Sequence, residues 1–168
     1  MLNTFHRGIT ASTEVPGTAR QVYDVVRDPD FVARSAPFVR RITPLADDVW
    51  RWEIGGIRYP GGTFTAGFTQ RMTFDPPHEI AFRHDPHAGD AGPGSRRGHQ
   101  ELAGAEGLFR TTGAERADHV RLELEMRVEA RVPAPRAAAA VVEGAIGAVL
   151  AVIRDRFVEA LQHRMAQR

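Results

Sequence analysis

The chain contains no cysteine and no lysine. Without cysteine there is no disulfide framework, no thiolate nucleophile and no sulfur-ligated metal. All 22 basic residues are arginine, which removes Schiff-base chemistry and any lysine general base. Serine is scarce: Ser12, Ser35 and Ser95 are the whole supply, and none sits in a G-x-S-x-G elbow. No phosphate-binding loop and no dinucleotide glycine motif is present, so no cofactor is expected. A net charge of +1 provides no bulk attraction to nucleic acid or to an acidic membrane. The opening MLNTFHRGITAST lacks the apolar segment of a secretory signal, so a cytoplasmic location is expected. A clean membrane span is missing too. Residues 137–153 are apolar except for Glu143, but a span needs ~20 residues. A carboxylate near its middle costs roughly 2.5–3.5 kcal/mol on insertion scales. The apolar period also runs on through Phe157 and Leu161 among Arg154, Asp155, Arg156 and Glu159. That is the pattern of a helix lying on a protein core, with no stable membrane insertion.

What is present points to one domain over residues 1–168. At this length roughly 68–70% of the unfolded chain's surface can be buried. Residues 136–168 read as one long helix. Val142, Ile146, Val149, Leu150, Ile153, Phe157 and Leu161 recur at helical spacing. Gly144, Gly147, Ala148 and Ala151 keep the helix thin around its middle. Upstream, residues 5–15 read as a strand that stops at Val15-Pro16-Gly17. Thr18 is an N-cap for a short helix through Arg27, and a second short helix covers 30–35. This helix pair has no basic recognition face, so it is no DNA reader.

Strands follow at 39–45, 49–54, 63–74, 79–84, about 103–112 and 119–132. Gly55-Gly56 and Pro60-Gly61-Gly62 bracket an expected loop containing Tyr59. The last strand alternates strictly: Val120, Leu122, Leu124, Met126, Val128, Ala130 and Val132 on one face, Arg121 to Arg131 on the other. That is the mark of a half-buried antiparallel strand. Its outer charges of mixed sign predict cross-strand ion pairs. In the strand near 103–112 the adjacent pair Leu108-Phe109 leaves the inner face unassigned. Residues 85–100, rich in Gly and Pro, carry no apolar period and read as a lid-like loop. Strands grouped apart from helices predict an α+β fold: a curved antiparallel sheet of six to seven strands around the long C-terminal helix, with two short helices after the first strand.

STEVPGTARQVYDVVRDPDFVARSAPFVRRI near the start, FTQRMTFDPPHEIAFRH in the middle and the terminal helix together resemble the helix-grip superfamily of START-related lipid-transfer proteins, polyketide cyclases and Bet v 1-type proteins (SRPBCC-type). The resemblance covers nearly the whole chain in element order. One departure is Ser35-Ala36-Pro37, where many members carry an aromatic residue. The resemblance implies a hydrophobic cavity between sheet and terminal helix.

Independently, Trp50, Trp52, Phe64, Phe68, Phe82, Leu124 and Met126 form an aromatic-rich inner face opposite Ile146, Leu150 and the small residues of the helix. Bulky residues facing small ones leave room for a lipophilic small molecule; the same residues also fit a core in which they fill each other's gaps. Gln70, His84 and Glu143 are the polar residues expected to face that space. They are candidates for orienting a ligand, and His84 with Glu143 for general acid–base work. His84, His87 and Asp90, with His78 and His99 near, lack the helix that would set two imidazoles on one side, so no metal site is expected. Two function classes stay open: a non-catalytic carrier or sensor, and a polyketide cyclase or aromatase-like enzyme. An outer-surface partner role is a third. Oligomeric state is not legible.

Overall fold

The computed structural model describes residues 1–59, 62–88 and 101–168. Seven strands form one antiparallel sheet: β1 (Asn3–Pro16), β2 (Val39–Ala46), β3 (Val49–Tyr59), β4 (Gly62–Asp75), β5 (Glu79–His84), β6 (Ala103–Gly113) and β7 (His119–Val132). Their order is β1-β7-β6-β5-β4-β3-β2, so β1 and β2 are the two edges. Helices α1 (Ala19–Val26) and α2 (Pro29–Ser35) follow β1. A 3-10 turn, Arg136–Ala138, leads into the long helix α3 (Ala139–Ala166). The architecture is α+β, as the grouping of strands and helices predicts.

Local chemistry starts and stops these elements. Thr18 caps α1 by accepting from the Gln21 amide at 3.3 Å, while the Gln21 side chain accepts from the Thr18 amide at 2.9 Å. This reciprocal capping box satisfies two amides that would otherwise lack partners. Asp28 caps α2, with Pro29 in its first turn. Strand β3 is longer than its sequence suggests. Its register shifts between Ile54 and Ile57, and Gly56 takes φ of 79°. The double glycine therefore makes a bulge inside the strand, and Tyr59 pairs with Gly62 at its end. The loop expected from Gly55-Gly56 is not formed, because a positive-φ glycine lets the ladder resume.

Register settles the inner face of β6. Phe109 lies opposite Leu124 and beside Ile80, which puts Phe109 inward and Leu108 outward. The expected outer-face ion pairing of β7 is present: Arg121 meets Glu14 of β1 at 2.8 Å.

The core sits under α1, α2 and the second half of α3. Val22, Tyr23, Val26, Phe31, Trp50, Met72, Ile80, Phe157, Leu161 and Met165 are all buried there. Phe157 touches Phe31 edge-on at 6.0 Å and Phe109 at 5.7 Å. At 1.5 Å per residue the 28 residues of α3 extend ~42 Å. The close backbone neighbours of α3 are β1 and α2, so the helix runs along one side of the concave face. The first half of α3 contributes no buried residue before Leu150.

Candidate functional site: an apolar groove beside the long helix

The inner face of the sheet and the first half of α3 both leave apolar side chains partly exposed. On the sheet, Trp52, Ile54, Phe64, Phe109, Leu124, Met126 and Val128 pack on the core yet are only partly buried. On the helix, Val142, Ile146, Val149 and Ile153 are likewise half-buried. Two clefts also open on the outside of the molecule. One lies between Thr10–Ser12 and the Arg154–Gln162 stretch of α3, the other between α2, β2 and Arg156. Neither is lined by the inward aromatics.

The expected site residues fall into three groups. Trp50, Phe68 and Phe82 are buried and closely packed: Trp50 against Phe74 at 6.3 Å, Phe82 against Phe109 at 5.9 Å. Leu150 is also buried. Trp52, Phe64, Leu124, Met126 and Ile146 are only partly buried. Trp52 stacks on Phe68 with centroids 5.6 Å apart and planes 12° apart. Glu143 is half-buried on α3.

Gln70 shows how the inner face is made. β5 ends at His84, and beyond that point β4 and β6 come together. Gln70 is 2% exposed and bridges the two strands, its Nε2 donating to the Ala105 carbonyl at 3.1 Å. Its Oε1 and the Trp52 Nε1 are buried without a partner. Buried polar atoms of this kind call for a water or a ligand group.

The imidazole of His84 does not follow the alternation of its strand. Ile80 and Phe82 point inward, but the His84 ring lies against Gly104 and bonds to Glu129. Gly104 and Glu129 are cross-strand partners on the outer face, between the inward pairs Ala103–Ala130 and Ala105–Val128. His84 is the last residue of the ladder, opposite Gln70, and its ring also stands edge-on to Phe68 at 6.4 Å while its nitrogens reach the outer-face carboxylates. A Cβ on Gly104 would overlap the ring, which explains the glycine.

His84 Nδ1 meets Glu129 at 3.0 Å and Nε2 meets Glu101 at 2.6 Å. Glu101 also accepts from Arg51, from the Thr69 amide at 3.1 Å and from the Thr69 hydroxyl at 2.9 Å. The Glu101 hydrogen bond holds the imidazole above its ordinary 6.5, against the downward pull of burial. Burial pulls Glu101 upward, but His84, Thr69 and Arg51 together hold it below its ordinary 4.5. This cluster clasps the ends of β4, β5 and β6 together from outside the groove. His84 and Glu143 therefore do not form an acid–base pair on a common inner face. Among the described residues no group of three or more His, Asp or Glu side chains is arranged to hold a metal. Asp90, His99 and most of the expected lid, residues 89–100, lie outside the described residues.

Two residues of this region escape the sequence reading. Glu101 sits in a stretch without any period, and no sequence signal marks it. Arg7 does carry a signal: it shares inward parity with Phe5 and Ile9 on β1.

No protein-family model and no curated protein matches the sequence. Solved structures do. The aromatase/cyclase ZhuI from Streptomyces sp. R1128 aligns over 97% of this chain and 95% of its own, with a TM-score of 0.69 at 16% identity. A START superfamily protein from Mycobacterium smegmatis aligns over 95% of this chain and 97% of its own, with a TM-score of 0.64 at 17% identity. The di-domain aromatase/cyclase StfQ of the steffimycin pathway aligns over 97% of this chain and 51% of its own, with a TM-score of 0.62 at 12% identity. The open seven-stranded sheet, the paired short helices and the long C-terminal helix are thus the helix-grip, SRPBCC-type fold.

Proposed function

We propose that this protein is a carrier or sensor that holds a lipophilic small molecule in the groove between the inner face of its sheet and the first half of α3, without transforming it. One observation carries the reading: apolar surface on both walls is only half covered. Trp52, Phe64, Leu124 and Met126 on the inner face of the sheet, and Val142, Ile146 and Val149 on α3, are each left partly exposed. Each Å² of such surface withdrawn from water contributes about 25 cal/mol, so a ligand that fills the gap gains on both sides. Gln70 Oε1 and Trp52 Nε1 are buried without a partner among the described residues, an acceptor and a donor that a ligand displacing their apolar cover would meet.

The likeness to aromatase/cyclases favours a second reading, a cyclase acting on a polyketide-type substrate. That chemistry needs several ionisable groups converging on the ligand. The His84 cluster lies on the other face, which favours holding over reaction. The experiment is a thermal-shift and native mass spectrometry screen against fatty acids, sterols and polycyclic aromatics. Retention of at least one class, recovered chemically unchanged, is the expected result. Absence of binding by every class removes the groove reading; recovery of a cyclised or dehydrated product establishes the enzyme instead.

A further inference from the structure

On β1 and β3 to β7 the inward positions are uncharged with one exception, the terminal His84 aside. On β1 the inward residues are Asn3, Phe5, Arg7, Ile9, Ala11, Thr13 and Val15, paired with the inward row of β7. Arg7 is the charged residue among them, opposite Val128. The inward rows of β3 to β7 offer only neutral side chains, once His84 has turned to the outer face. The guanidinium of Arg7 lies on α3 at Gly147, its Nε 3.0 Å from where a Cβ would stand. The glycine makes room for the cation between strand and helix. Among the described residues no carboxylate comes within 4.0 Å of Arg7. Arg51, Arg71, Arg110 and Arg121 each have such a partner. Glu143 shares a helix face with Gly147, one turn earlier, and does not reach Arg7.

A ligand filling the groove would cover part of this cation. A purely apolar ligand would strip water from it and return nothing, which is unfavourable. A ligand with an anionic end would replace that water with charge-assisted hydrogen bonds, and the flat guanidinium fork matches a carboxylate in two-bond geometry. A single positive charge balances one carboxylate and leaves a dianion under-compensated. The span is set by the sheet. Arg7 pairs with Val128, Val128 with Ala105, and Ala105 accepts from Gln70, so one row runs across the inner face. At ~4.8 Å per strand, the distance from Arg7 to Gln70 along the sheet is roughly 15 Å.

We propose that the ligand is an amphipathic monocarboxylic acid, its carboxylate on Arg7 at the groove mouth and its apolar body laid across the strands toward Gln70. This rests on the groove reading above. The test is calorimetric titration at pH 8 with dodecanoate, dodecanol and dodecylamine, on the wild type and on Arg7→Met and Arg7→Lys. Arg7 is solvent-exposed, so both variants are expected to fold, with circular dichroism as the check. In the wild type dodecanoate should bind about ten- to a hundredfold more tightly than dodecanol, and dodecylamine most weakly. Arg7→Met should abolish the preference for the acid, weakening dodecanoate and, with the desolvation cost of the cation removed, binding dodecanol no less tightly than the wild type, and Arg7→Lys should keep part of the preference. Equal wild-type affinity for acid and alcohol, or a preference that survives in Arg7→Met, overturns the role of Arg7 and leaves the groove intact. Failure of all three probes to bind the wild type overturns the acid proposal, and the groove reading falls with it only if sterols and polycyclic aromatics also fail to bind.

Discussion

The two halves of α3 differ in composition, the first rich in Ala, Val and Gly and the second in charged residues, and they are buried to opposite degrees. In the second half Phe157, Leu161 and Met165 are sealed against α1, α2 and the aromatic layer of the sheet. In the first half Val142, Ile146 and Val149 are half-covered, and Val141 and Val152 stand in solvent. The first half is the more apolar of the two in sequence, yet the less buried. Burial along α3 is therefore set by what stands opposite. α1 and α2 close the far end of the sheet, and no helix closes the near end. One half of α3 serves stability; the other is the half on which the proposed ligand would lie.

That division should show most strongly in unfolding. Leu161 is fully enclosed, so Leu161→Ala is expected to cost about 2–5 kcal/mol. In a chain of this size that lowers Tm by roughly 5–15 °C. Ile146→Ala, on the open half, should cost about 1 kcal/mol or less. Denaturant titrations giving equal losses at both sites would mean the halves are packed alike. Next in size is a steric block. Ile146→Trp should fill the groove and abolish uptake of a fluorescent lipophile such as N-phenyl-1-naphthylamine, with near-native circular dichroism. A variant that unfolds would show there was no space to fill.

A smaller effect lies in pH, because the clasp around His84 sits opposite the groove. The imidazole is raised, so its contribution is complete below about 6.5 and is lost as pH climbs through the higher folded value. Glu101 is lowered, so its contribution is present above about 4.5 and is lost as pH falls through the lower folded value. Urea midpoints should therefore decline above neutrality in the wild type and lose that alkaline decline in His84→Gln. Identical alkaline slopes would remove His84 from the clasp. The smallest expected change is a gain. Gly144→Ala meets open space and should stabilise α3 by about 0.5–1 kcal/mol. Gly147→Ala must displace Arg7 and should gain less. Equal gains would show that Arg7 is not seated on the helix.

Much of the fold is legible in the sequence because its signals are periodic. The strict alternation of β7, the capping box at Thr18 and the stripe from Leu150 to Leu161 each report local geometry directly. What escapes depends on partners. Leu108 and Phe109 are equivalent until Leu124 is set opposite one of them. His84 has inward parity, and only the end of its strand and the small Gly104 let it turn outward. Glu101 acquires meaning from Arg51, Thr69 and His84, which are distant in sequence. The apolar walls of the candidate site were readable; that the second half of α3 is filled and the first half is not depends on where α1 and α2 dock.

The half-open face also has a thermal consequence. Trp52, Phe64, Leu124 and Met126 already meet water in the native state, so unfolding exposes less new hydrocarbon than chain length implies. A typical chain of 168 residues shows an unfolding heat-capacity increment of about 2 kcal/mol/K. The free protein should fall below that value, and a bound lipophile should restore part of the deficit, with a negative heat-capacity change on association.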